Sequence, residues 1–60
     1  MTELLTVPEV ATRLRVSERT VRRLIHDGRL RPARIGRRTL VTSRELDAYV
    51  AHADGRGRVA

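Results

Sequence analysis

Residues 17–28 read Ser-Glu-Arg-Thr-Val-Arg-Arg-Leu-Ile-His-Asp-Gly, a stretch with both ends of a helix written into it. Ser17 is a good N-cap, because its hydroxyl can accept from an otherwise unpaired amide of the first turn. Gly28 suits the left-handed position just past the last turn. Between them Val21, Leu24 and Ile25 fall at i, i+3 and i+4 and make one apolar stripe. At about 100° per residue, the opposite side carries Arg19, Arg23 and His26, with Thr20 and Arg22 on the flanks. The chain has only sixty residues, which allows one domain with a thin core. The remaining segments must therefore serve this helix.

The segment before it is a matching partner. Thr6-Val7-Pro8-Glu9 has the pattern of a capping box, with Thr6 at the cap and Glu9 at the third helical position. Pro8 sits in the first turn, where its missing N–H costs nothing. Val7, Val10, Ala11 and Leu14 share a helical face, so a first helix over 7–14 is expected. Arg15 and Val16 make a tight connection to Ser17, with Val16 expected to plug the space between the helices. Two short helices joined this closely, the second amphipathic and basic, form the helix-turn-helix pattern.

After Gly28 the period changes. Pro32 ends any helical reading, Ala33-Arg34-Ile35 alternates, Gly36-Arg37 can turn, and Arg38-Thr39-Leu40-Val41 returns. This predicts a small two-stranded β-hairpin with an arginine-rich tip. Such a hairpin is not stable alone, so Ile35 with Leu40 or Val41 is expected to pack on the helices while Arg34, Arg37 and Arg38 project. Thr42-Ser43-Arg44-Glu45 is a second capping-box pattern. Leu46, Tyr49 and Val50 follow at helical spacing, which predicts a third helix over about 43–52 with Tyr49 as a core plug. The expected fold class is mostly α with a small β-hairpin, a winged helix-turn-helix. Its domain spans 1–53, and 54–60 are read as a flexible tail because two glycines and no period occur there.

Thirteen arginines, no lysine and seven acids give a net charge of +6. The charge is uneven, since residues 13–38 hold ten of the arginines against Glu18 and Asp27. A GC-rich genome would explain arginine in place of lysine but not this clustering. A cationic block on so small a domain implies a polyanionic partner, nucleic acid first, and a helix with an apolar back and cationic front suits the major groove of DNA. Other classes fit poorly. There is no cysteine, hence no disulfide or thiolate chemistry, which fits a reducing cytoplasm. His26 and His52 are too far apart to supply a usual metal set, and no cofactor is expected. Ser17, Thr42 and Ser43 fall at helix caps, no Gly-rich phosphate loop is present, and the chain is short for a substantial pocket, so no enzyme is expected. No leader peptide and no membrane span are read from the sequence.

The ordered run of motifs resembles the winged-helix DNA-binding domains of the excisionase and MerR type. The residues that carry the resemblance are Leu5-Thr6-Val7-Pro8-Glu9-Val10-Ala11, Val16-Ser17, Thr20-Val21-Arg22-Arg23-Leu24-Ile25, the run from Gly28 to Arg38, and Ser43-Arg44-Glu45-Leu46-Asp47-Ala48-Tyr49-Val50. MerR-type regulators carry a long dimerisation helix after this unit, and none is read here. The closer likeness is to excisionases, also called recombination directionality factors, of phage or prophage. That likeness implies copies bound side by side on direct repeats of double-stranded DNA, bending it for an integrase, at the nucleoid of a bacterial cytoplasm.

On the residues themselves, Arg19 and Arg23 are the first choices for base edges, because arginine to guanine is the commonest specific contact. Arg22 is assigned to a phosphate, and His26 is read as an exposed groove-side residue that can reach one. Ser17 can offer its hydroxyl or amide to a phosphate at the helix N-terminus, or serve as a cap alone. Thr20 can meet a thymine methyl or a phosphate, or rest against the turn. Arg34, Arg37 and Arg38 would place the wing on the neighbouring minor groove or backbone. Residues 54–60 are a candidate contact for a neighbouring copy or an integrase. A small MerR-like transcription regulator, or a basic protein-interaction module, are the alternative readings.

Overall fold

The structure, a computed structural model, describes residues 2–58 and the surroundings of side chains through residue 53. In chain order it comprises β1 (Leu4–Thr6), α1 (Val7–Leu14), α2 (Glu18–His26), β2 (Ala33–Ile35), β3 (Arg38–Thr42) and α3 (Ser43–Arg58). Both first helices start where their caps predict. Thr6 Oγ1 accepts from the Glu9 N–H at 3.2 Å, and Glu9 Oε1 accepts from the Thr6 N–H at 2.8 Å, a complete capping box. Ser17 Oγ accepts from the Thr20 N–H at 3.2 Å.

Their C-terminal ends are alike in hydrogen bonding and unlike in residue. After α2, Gly28 sits at φ +81°; its N–H donates to the Ile25 carbonyl at 3.1 Å, and the Arg29 N–H donates to Leu24 at 2.8 Å. This is the Schellman pattern, which satisfies carbonyls that a helix end leaves open. After α1 the same pair of bonds runs from Arg15 to Thr12 and from Val16 to Ala11, but the left-handed residue is Arg15 at φ 58°. An L side chain there costs roughly 1–2 kcal/mol. The connection is held by backbone bonds and not by the Val16 side chain, which is exposed; the expected plug is corrected on this point.

The sheet has three strands, in the order β1-β3-β2 and antiparallel throughout, where a two-stranded hairpin was expected. Leu5 lies opposite Val41, and both are buried on the face toward the helices. The Ser43 N–H continues the ladder onto the Glu3 carbonyl at 2.8 Å. Gly36 turns the wing at φ +60° while Arg37 stays out of the left-handed region, the pattern of a type II′ turn. Ile35 lies opposite Arg38. Strand alternation puts that pair on the face away from Val41, so Ile35 is exposed and does not pack on the helices.

The core is Leu5, Val7, Val10, Ala11, Val21, Leu30, Val41 and Leu46, with Leu14, Leu24, Ile25 and Tyr49 packed at its margin. Leu30, between two arginines, is fully buried. The loop around it is tied to α3, because Glu45 Oε2 accepts from the Arg31 N–H at 3.2 Å. That redirects Glu45, so Thr42 caps α3 through Oγ1 and the Glu45 N–H without the reciprocal bond expected of a capping box. α3 also outruns the predicted 43–52. Glycine lowers helix propensity by about 1 kcal/mol but keeps its N–H, so the backbone ladder continues past Gly55 and Gly57. Residues 54–58 of the expected tail therefore follow α3, and 59–60 lie outside the described residues. Val50, which shares the helical spacing of Leu46 and Tyr49, is exposed. These elements form a winged helix-turn-helix fold.

Leu30→Ala is expected to destabilise the domain by about 2–5 kcal/mol, whereas Ile35→Ala is expected to change it by under about 0.5 kcal/mol; urea denaturation at equilibrium measures both. The Thr6 backbone N–H, then the Thr6 hydroxyl, hold the Glu9 carboxyl below its ordinary value of 4.5. Because the folded value is the lower one, this contribution is present above pH 4.5 and lost as pH falls through the folded value. The thermal midpoint of the wild type should thus fall on acidification below that pH, and the Glu9→Gln chain should lose that part of the dependence.

Candidate nucleic-acid interface

The sequence places ten arginines in residues 13–38, and none enters the core, which holds no buried polar or charged residue among the described residues. The apolar stripe of α2 is consumed by Val21, which is fully buried, and by half-buried Leu24 and Ile25. The rest of the helix has to face outward. Arg19, Arg23 and His26 lie on the exposed side, as their spacing predicts.

Ser17 and Thr20 form a pair of their own at the start of this helix. Ser17 is exposed, Thr20 is half-buried, and their hydroxyl oxygens are 3.0 Å apart. With the Thr20 N–H also on Ser17 Oγ, both side chains first serve the helix start. Arg22 lies on the flank and faces Glu18 one turn back, with Nη2 at 3.8 Å from Oε1. Exposed i,i+4 pairs of this kind contribute about 0.3–0.5 kcal/mol, so Arg22 is tethered only lightly.

Between the flank of α2 and the wing lies an open cleft of about 730 Å³, larger than the chain length led one to expect. Arg22 and His26 enter it from α2, and Arg34 and Arg38 from the hairpin; Val7, Pro8, Ile25 and Leu40 give it an apolar lining. Four of the nine residues singled out from sequence thus converge on one concavity. Arg19 and Arg23 stand outside it on α2, and Arg37 stands outside it at the exposed turn. The lining residues Pro8, Ile25 and Leu40 were not foreseen as part of an interface. They come from three separate elements, and only the packing of α1, α2 and β3 brings them together, so no local pattern announces them.

This arrangement is suited to a polyanion with a regular strand. Cations on two walls can meet successive phosphates, and the apolar lining can cover sugar carbons. A guanidinium also presents a planar fork that matches phosphate and guanine alike. Among the described residues only Arg13 and Arg22 have ion-pair partners, Glu3 and Glu18, both at the surface. The other interface cations are therefore available to a ligand.

Two proteins of Mycobacterium tuberculosis, from strains CDC 1551 / Oshkosh and ATCC 25618 / H37Rv, are each 58% identical to the chain over 36 residues, and each carries the name "Putative DNA-binding protein". The aligned segment is 60% of this chain and 46% of each relative, so the chain spans about half the length of the curated relatives it matches. No solved structure matches it significantly. A family profile described as a helix-turn-helix domain matches residues 4–54, nearly the whole fold from β1 into α3. The chain belongs to this helix-turn-helix family of DNA-binding domains, which includes excisionase-like proteins.

Proposed function

We propose that this DNA-binding domain reads a specific duplex sequence with α2 in the major groove, and that it acts as an excisionase. The observation that carries the DNA-reading part is the cleft between α2 and the wing. A helix laid in one groove and a hairpin laid on the next must straddle the strand between them, and the cleft with Arg22, His26, Arg34 and Arg38 lies where that strand would run. In this reading those four residues and Arg37 hold backbone or minor-groove edge, which positions the domain. Arg19 and Arg23, outside the cleft, take guanine edges, which specify the site. Ser17 and Thr20 keep the helix start in order and offer a hydroxyl to the nearest phosphate.

The excisionase role is supported by the family to which the chain belongs, which includes excisionase-like proteins. One such module buries only about 600–1,000 Å² on DNA, too little for tight binding alone. Neighbouring copies on direct repeats, with bent DNA presented to an integrase, would supply the rest.

The two classes of arginine separate by measurement. Arg19→Ala or Arg23→Ala should each cost about 1–3 kcal/mol against a preferred site and relax selection at one base pair. Arg34→Ala and Arg38→Ala should weaken all duplexes alike. If the domain neutralises about five phosphates, log affinity falls with log salt at a slope near −4.5, and each of these changes makes the slope shallower by about 0.9. Fluorescence anisotropy across a salt series reads both effects. A genome-wide footprint of the purified chain tests the biological role. Closely spaced direct repeats beside an integration site are the expected outcome; isolated palindromes over promoters would replace the excisionase reading with transcription control.

A further inference from the structure

We infer that Glu18 is a base-reading residue of α2 that selects cytosine, and that Arg22 positions it. The inference rests on the reading of α2 as a groove-reading helix. Glu18 is the first residue of α2, directly after the Ser17 cap. In helices that enter the major groove, residues near the N-terminus lie closest to the base edges. Its side chain is 49% exposed, and Oε1 stands 3.8 Å from Arg22 Nη2. It is the sole acid between Arg13 and His26.

A carboxylate in this place has two opposed effects. It complements the positive end of the α2 dipole, and it repels the phosphates that the surrounding arginines attract. The Arg22 guanidinium offsets that repulsion. It has five N–H donors, enough to hold Glu18 with one edge while the rest meets a phosphate at the cleft. Held so, Glu18 keeps lone pairs free and can only accept. In the major groove cytosine offers its N4 amino group as a donor, whereas guanine offers acceptors, and adenine sets its donor beside the N7 acceptor. An ionised carboxylate is therefore matched to cytosine and repelled by the purine edges. Glutamine, which both donates and accepts, is matched to adenine instead.

The test is selection of bound duplexes from a randomised pool by the wild-type chain, Glu18→Gln, Glu18→Ala and Arg22→Ala, with a thermal melt of each. The expected result is one position where the wild type requires cytosine. Glu18→Gln should change that requirement to adenine, and Glu18→Ala should leave the position unselective, with about a tenfold loss of discrimination there. Arg22→Ala should weaken the cytosine preference without substituting another base, and selection by Arg19 and Arg23 elsewhere should persist in all of them. An unchanged preference at every position in both Glu18 variants, with or without a lower melting temperature, overturns the assignment and reduces Glu18 to a helix-end charge. A wild-type chain that selects no duplex at all overturns the interface reading as well, so the two failures are distinct.

Discussion

The turn at Gly28 is the constraint on which the interface depends. There α2 has to stop, and the chain has to reverse toward the core. The left-handed glycine lets the amides of Gly28 and Arg29 close on Ile25 and Leu24, and the next residue but one, Leu30, drops fully into the core. The anchored loop then starts β2, so the wing is delivered to the side of α2 that bears Arg22 and His26. Glu45 fastens the same loop to the third helix through the Arg31 amide. Without that turn α2 would still be an amphipathic cationic helix, but the cleft would have one wall.

The same logic explains where the arginines lie. Among the described residues, a core of eight small and medium aliphatic side chains with no buried polar group cannot take a guanidinium. Burying an unpaired charge costs far more than so thin a core returns. Every arginine of residues 13–38 is thus driven outward, and three of them, Arg22, Arg34 and Arg38, line one cleft. Two surface ion pairs, Arg13 with Glu3 and Arg22 with Glu18, relieve little of this repulsion in water. A phosphate backbone relieves much more, because it brings a fixed row of charges and releases counterions.

Features written in neighbouring residues are legible in the sequence. The caps at Thr6 and Ser17, the turns at Gly28 and Gly36, and the exposed side of α2 all follow from interactions within a few positions, and they sit where local chemistry puts them. Features that depend on pairing distant segments are not. β1 is three residues long and has strand character only because β3 lies beside it. Leu30 looks like part of a basic linker until the turn aims it inward. Ile35 and Val50 have the spacing of apolar faces, yet one falls on the outer face of the wing and the other is exposed on α3. Glu45 satisfies a local motif, but a distant amide competes for its carboxylate. The cleft shares that character, since its cationic members are conspicuous singly while their convergence belongs to the tertiary fold.

Folding and binding are coupled by this distribution of charge. The folded chain gathers cations that the unfolded chain keeps apart, so the native state bears a repulsion the denatured state avoids. In the proposed reading DNA that fits the assembled cleft would bind the native state in preference, and at a free concentration a hundred times the dissociation constant such a ligand would add about 2.7 kcal/mol to stability. For a domain with a core this thin, that increment is comparable to the loss of one buried leucine. The strained Arg15 turn and the crowded arginines are therefore tolerable in a domain whose working state is on DNA, where the partner offsets the repulsion that the fold itself creates.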